Sequence, residues 1–135
     1  MKNKLLLSAA ILLAATVSGF AEESPKGCPA GHAGHDMGAM TDTSGMTDMQ
    51  KAYAEGMDRM HPAMAAGVMA DDPDVAFVCG MIPHHQGAID MAQIQLQYGK
   101  DPANRKLARE IIAAQQHEIE EMKSWLAARG VKHSE

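Results

Sequence analysis

The residues from Met81 to Met91, Met-Ile-Pro-His-His-Gln-Gly-Ala-Ile-Asp-Met, set two adjacent imidazoles between two thioethers. On a helix, residues three, four and seven apart share a face. Met81, His84 and Met91 then line one strip, and Met81 and His85 form an i,i+4 pair. Soft thioethers beside imidazoles suit Cu(I), with Ag(I) as its mimic, better than Zn²⁺ or a hard cation. Met57, Met60, His61 and Met64 make a second group, in which Met57 with Met60, or Met60 with Met64, could chelate across one turn. His117 and Met122 make a third, with Glu118 beside them. Adjacent helical residues point about 100° apart, so His84 and His85 need not hold one ion. One can bind while the other hydrogen-bonds a carboxylate in support, a role that suits Asp90 and Glu118.

Each of these residues has a plainer use. Met57, Met60 and Met64 fall on the apolar face of their helix and could simply fill a core. His85 lies on the apolar stripe of its own helix, where a lone histidine is ordinarily a hydrogen-bonded core residue. Met122 is on a packed side, His117 falls off the stripe and reads as exposed, and Trp125 reads as core. Composition weighs against packing alone. Beyond residue 21 there are eleven Met against three Leu, six Ile and four Val. Methionine is flexible and specifies a core poorly, so a chain built only for packing would reverse that ratio.

Three helices position these side chains. The first begins at Thr47, where Thr47-Asp48-Met49-Gln50 fits a capping box, and carries Met49, Tyr53, Met57, Met60, Met64 and Val68 at spacings of three and four. Pro62 predicts a kink or a split in it. The second takes Asp72 as cap and Pro73 as first residue, with the stripe Val75, Val78, Ile82, His85, Ile89, Ala92 and Leu96, and stops at Gly99. Pro83 predicts a kink just before the histidine pair. The third starts at Asp101-Pro102, carries Leu107, Ile111, Ala114 or Gln115, Glu118 or Ile119, Met122, Trp125 and Leu126, and ends at Gly130. Strand-like alternation is absent, and the short connections make neighbouring helices antiparallel. The expected fold is an all-α, short antiparallel bundle over residues 47–130, with residues 131–135 as a C-terminal tail. Its aliphatic core is thin, so metal binding or pairing into a homodimer would add stability.

Residues 1–21 read as a secretory signal peptide. Lys2 and Lys4 form the positive region, Leu5 to Val17 the apolar run, and Gly19-Phe20-Ala21 a small-x-small cleavage site. The apolar run falls short of the roughly 20 residues that span a bilayer, so no stable membrane anchor is expected. Loss of Lys2 and Lys4 leaves ten Lys and Arg against 17 Asp and Glu, a net charge of −7. An acidic, exported chain is a poor partner for nucleic acid and a fair one for cations. Periplasmic or secreted location would also let Cys28 and Cys79 pair, although sequence leaves a disulfide and two thiols at even weight. Residues 22–46 have the composition of a flexible tail; its His32, His35, Met37 and Met40 are weaker metal ligands.

Four segments together resemble one family. They are Met57-x-x-Met60, Asp72-Pro73-Asp74-x-x-Phe77, the run Met81 to Ala92, and Gln115-x-x-Glu118-Ile119-x-x-Met122-x-x-Trp125-Leu126. The family is the secreted one catalogued as domain of unknown function three hundred and five, which includes CopM-type copper-binding proteins. The resemblance covers about Met57 to Leu126 and implies a ferritin-like helical bundle and periplasmic copper binding linked to copper tolerance. This chain looks like a short member with one copy of the helical unit, and Cys79 matches no ligand position of the family.

Residues and resemblance favour a protein that buffers Cu(I) or delivers it to another copper-handling protein, without catalysis. A ferritin-like metalloenzyme is the alternative, for example a Cu(I) oxidase. A di-iron or di-manganese site needs paired Glu-x-x-His motifs, and the chain has only Asp58-x-x-His61 once. A methionine-rich protein-interaction module is the third reading.

Overall fold

The computed structural model describes residues 27–28 and 43–132. The signal peptide expected at 1–21, and His32, His35, Met37 and Met40, lie outside the described residues. The described chain is all-α: α1 (Asp48–Gly67), α2 (Pro73–Tyr98) and α3 (Pro102–Ala127). None of these helices is long and apolar enough to cross a membrane.

Local chemistry sets each helix start. The Thr47 hydroxyl accepts from the Gln50 amide at 3.3 Å, while the Gln50 side chain accepts from the Thr47 amide at 2.9 Å, a complete capping box. Asp72 caps α2 by accepting from the amides of Asp74 and Val75 at 2.9 and 3.0 Å. Asp101 does the same for α3 through Asn104 at 2.8 Å. In both cases proline follows the cap, where its missing N–H costs nothing. Arg105, one turn into α3, donates to the carbonyls of Leu96 and Gly99 at the end of α2 and so closes the corner between them.

Both internal prolines are accommodated without splitting a helix: α1 runs through Pro62 and α2 through Pro83. Proline at 83 removes the donor for the Cys79 carbonyl. That carbonyl lies against Gly67 of α1, so tightly that a β-carbon at Gly67 would overlap it. The freed carbonyl is therefore sheltered by a neighbouring backbone.

The helices form a layer with α2 in the middle. It packs on α1 along one side and on α3 along the other, and α1 and α3 do not meet. Between α2 and α3 lies the aliphatic core: Val75, Val78, Ile82, Ile89, Ile119 and Leu126, joined by Val131. Ile112, Met122 and Trp125 pack against its edge. Trp125 is covered on its other side by the Arg129 guanidinium, 3.6 Å from the ring centroid.

The domain reaches beyond both expected boundaries. Gly130 adopts φ 69°, a left-handed turn that favours glycine, and returns the chain so that the Val131 amide donates to the Leu126 carbonyl at 3.1 Å. Val131, expected in a tail, is thus part of the core. Cys28, also expected in a tail, forms a disulfide with Cys79 of α2, and its amide donates to the Lys132 carbonyl at 2.9 Å. The segment before α1 and the segment after α3 are fastened together over the start of α2.

A candidate soft-metal face on α1 and α2

Glycines fix the register of α1 against α2. Gly67 lies on the backbone of Cys79 and Gly80, Gly80 faces Val68, and Gly87 lies under the Met60 thioether. Further along, Gly56 faces Asp90, and Arg59 bridges to Asp90 at 3.1 Å. These pairs run in opposite directions along the two helices, so the arrangement is antiparallel. Met57 and Met64 sit one turn to either side of Met60, and His84 and Met91 one turn to either side of Gly87. The register therefore sets Met57 near Met91 and Met64 near His84. The Arg59–Asp90 bridge occupies the opposite rim of the same helix pair, which leaves the methionines and His84 together on one open side.

Burial separates these residues from ordinary core. Met57 is 37% exposed and Met91 47% exposed, while Met60, Met64 and Met81 are half-buried. His61 and His84 are exposed. The buried residues of α1 are Ala54, Gly56 and Gly67, none with a long side chain. Of the helix-one methionines, Met60 packs on Gly87 in the contact between the helices, while Met57 and Met64 stand at its edge.

The two adjacent histidines have different surroundings. His85 is buried, at 9% exposure. It donates Nδ1–H to the Met81 carbonyl at 2.8 Å, and its Nε2 lies 2.7 Å from Glu118 Oε2 on α3. A metal ion could reach His85 only by displacing one of these partners. The His84 ring stands edge-on to it, with centroids 5.8 Å apart and planes 63° apart. His84 has the more accessible nitrogens. Gln115 reaches the same Glu118 oxygen at 3.5 Å. Asp90 is held by Arg59 and by Gln86 at 3.1 Å.

The third expected group is not gathered with the others. His117 is exposed and pairs with Glu121 at 3.2 Å along the surface of α3. Met122 packs on the aliphatic core. Among the described residues no three side chains of His, Cys, Asp and Glu converge on a metal-sized site. Sequence reasoning passed over the glycines that bring α1 against α2. The seven-residue spacing of Gly80 and Gly87 was the available signal, since such a repeat marks one strip of a helix.

Fold and side-chain inventory thus describe a small all-α protein with a sulfur- and imidazole-bearing face. Residues 14–126 match the family described as domain of unknown function DUF305, and the chain belongs to that family. It is also similar to uncharacterized protein L153 of Acanthamoeba polyphaga mimivirus, 43% identical over 60 residues. That match takes in 44% of this chain and 40% of the viral protein.

Proposed function

We propose that this protein is an exported Cu(I)-binding protein that buffers copper or hands it on, with the open face of α1 and α2 as the place where the cargo ion binds. The observation that carries the reading is the partial exposure of Met57, Met60, Met64, Met81 and Met91 beside the accessible His84. Apart from Met60, which also packs on Gly87, these thioethers stand at the edge of the helix contact, and soft-ion ligation accounts for keeping flexible side chains there. The Cys28–Cys79 disulfide supports an oxidising compartment such as the periplasm. His85 and Glu118 act behind the site: they hold the Met81 turn in place, and the ion meets Met81 and His84 in front of it. In a ferritin-like family setting this is a cargo role, with copper tolerance as its outcome.

Separate competition titrations test the proposal: Cu(I) under ascorbate, which keeps copper reduced without supplying a competing thiol, and Ag(I), Cu(II), Zn²⁺ and anaerobic Fe²⁺ without ascorbate, because it would reduce Ag(I) and Cu(II). The expected result is tighter binding of Cu(I) and Ag(I) than of Cu(II), Zn²⁺ or Fe²⁺, with sulfur and nitrogen in the first shell by X-ray absorption. A shell of nitrogen and oxygen alone, or tighter Zn²⁺ than Cu(I), would overturn it.

A further inference from the structure

Helix α2 has two sides that neither α1 nor α3 covers, and they differ. One carries Gln86, Gln93 and Gln97, all exposed. The other carries Phe77, His84, Met91 and Tyr98, each seven residues from the last and all exposed, at 64% for Phe77 and 37% for Tyr98. From Val75 to Tyr98 the helix bears one carboxylate, Asp90, and no lysine or arginine. Asp90 is turned to the far rim by Arg59. An uncharged stripe with an aromatic residue at each end is unusual on an open surface, and such patches mark contact sites.

The stripe is complementary to itself. Turned end for end about a twofold axis between Gly87 and Ala88, it sets Phe77 opposite Tyr98, and His84 opposite Met91, with small residues at the crossing. Met91 also lacks a soft ligand one turn away on its own helix, where Gly87, Ala88, Ile94 and Gln95 stand. We infer that two copies of this chain pair through this face of α2, so that His84 of one copy and Met91 of the other take one Cu(I) ion, twice per pair. This rests on the copper reading above and adds to it the second copy as the source of ligands.

Interface size decides whether the metal matters. From Phe77 to Tyr98 the helix rises about 31 Å. With the flanking helices roughly 10 Å to each side, the face is on the order of 600 Å² per copy. Stable interfaces bury roughly 800 Å² per partner. The apolar stripe alone falls short, so the metal-free chain should be a monomer and the two bridging ions should complete the pair.

Light scattering on the sized full chain, with and without Ag(I) or ascorbate-reduced copper, tests this. The expected result is a doubling of mass on loading, with loss of that doubling in His84→Ala and in Met91→Leu. Both positions are exposed, so both variants should fold. Mixing the two variants is the sharper measurement: one of the two crossed sites regains both ligands, and loaded heterodimers should reappear with half the bridging metal. Tight Cu(I) binding by a chain that stays monomeric would overturn the pairing and leave the copper reading standing. Failure to bind Cu(I) at all would remove the copper reading and this inference with it. A dimer that forms without metal and survives both substitutions would place the contact elsewhere and also overturn the inference.

Discussion

The two sides of α2 are packed by different means. Toward α3 the contact is aliphatic and buried, built from Ile82, Ile89, Ile119 and Leu126, with Leu126 at 1% exposure. Toward α1 it is made by glycine, against backbone at Gly67 and under the Met60 side chain at Gly87, and α1 contributes nothing to the main core cluster. Stability should therefore reside mainly between α2 and α3, while the α1 side is free to carry side chains chosen for other chemistry. Close approach of backbones gives that side its register without filling it. The two histidines reflect the same division: His85 turns toward α3 and is tied to Glu118, and His84 is left in the open.

Breaking the aliphatic side should have the largest effect. Leu126→Ala removes the most buried large side chain, and such substitutions cost about 2–5 kcal/mol. We expect about 4 kcal/mol by urea unfolding, since Leu126 is also where Val131 returns to the core. A loss under 1 kcal/mol would mean that the α2–α3 contact is not the main store of stability.

The glycine side should respond to added volume. Gly67→Ala forces a methyl into the Cys79 carbonyl and peptide, and backbone cannot move aside as a flexible side chain can. Overpacking of this kind costs about 1–3 kcal/mol, so roughly 2 kcal/mol is expected. Gly87→Ala meets the movable Met60 thioether instead and should cost less. Equal losses at both positions would show that contact with backbone and contact with a flexible side chain are not distinguished here.

These contrasts also show what the sequence could reveal. Helix starts were legible because capping is local: Thr47 with Gln50, Asp72 with Pro73 and Asp101 with Pro102 each act within one turn. Burial of His85 followed from the stripe on its own helix. Its pairing with Glu118 did not, because that depends on how α3 sits against α2, which no local spacing encodes. The Cys28–Cys79 bond and the return of Val131 are long-range for the same reason. Methionine on an apolar stripe looked the same whether it packed or stood at an edge. The contacts between helices separate the two, with Met60 on Gly87 and Met57 at the exposed edge.

The smallest stability effect is expected where the chemical effect is large. Met57→Leu with Met64→Leu keeps size and apolar character on the half-exposed edge of α1. Volume-conserving swaps of this type usually cost under about 1.5 kcal/mol, and at these positions the unfolding midpoint should scarcely move. Leucine has no donor atom for a soft ion, however, so Cu(I) affinity at the α1–α2 face should fall by at least about tenfold, equivalent to about 1.4 kcal/mol. Measuring both quantities on one preparation separates the roles. Loss of stability with unchanged Cu(I) affinity would make these methionines packing residues after all, and would move the cargo site onto α2 alone. Loss of affinity with unchanged stability would mean that α1 holds its place through glycine and contributes its sulfur to the metal.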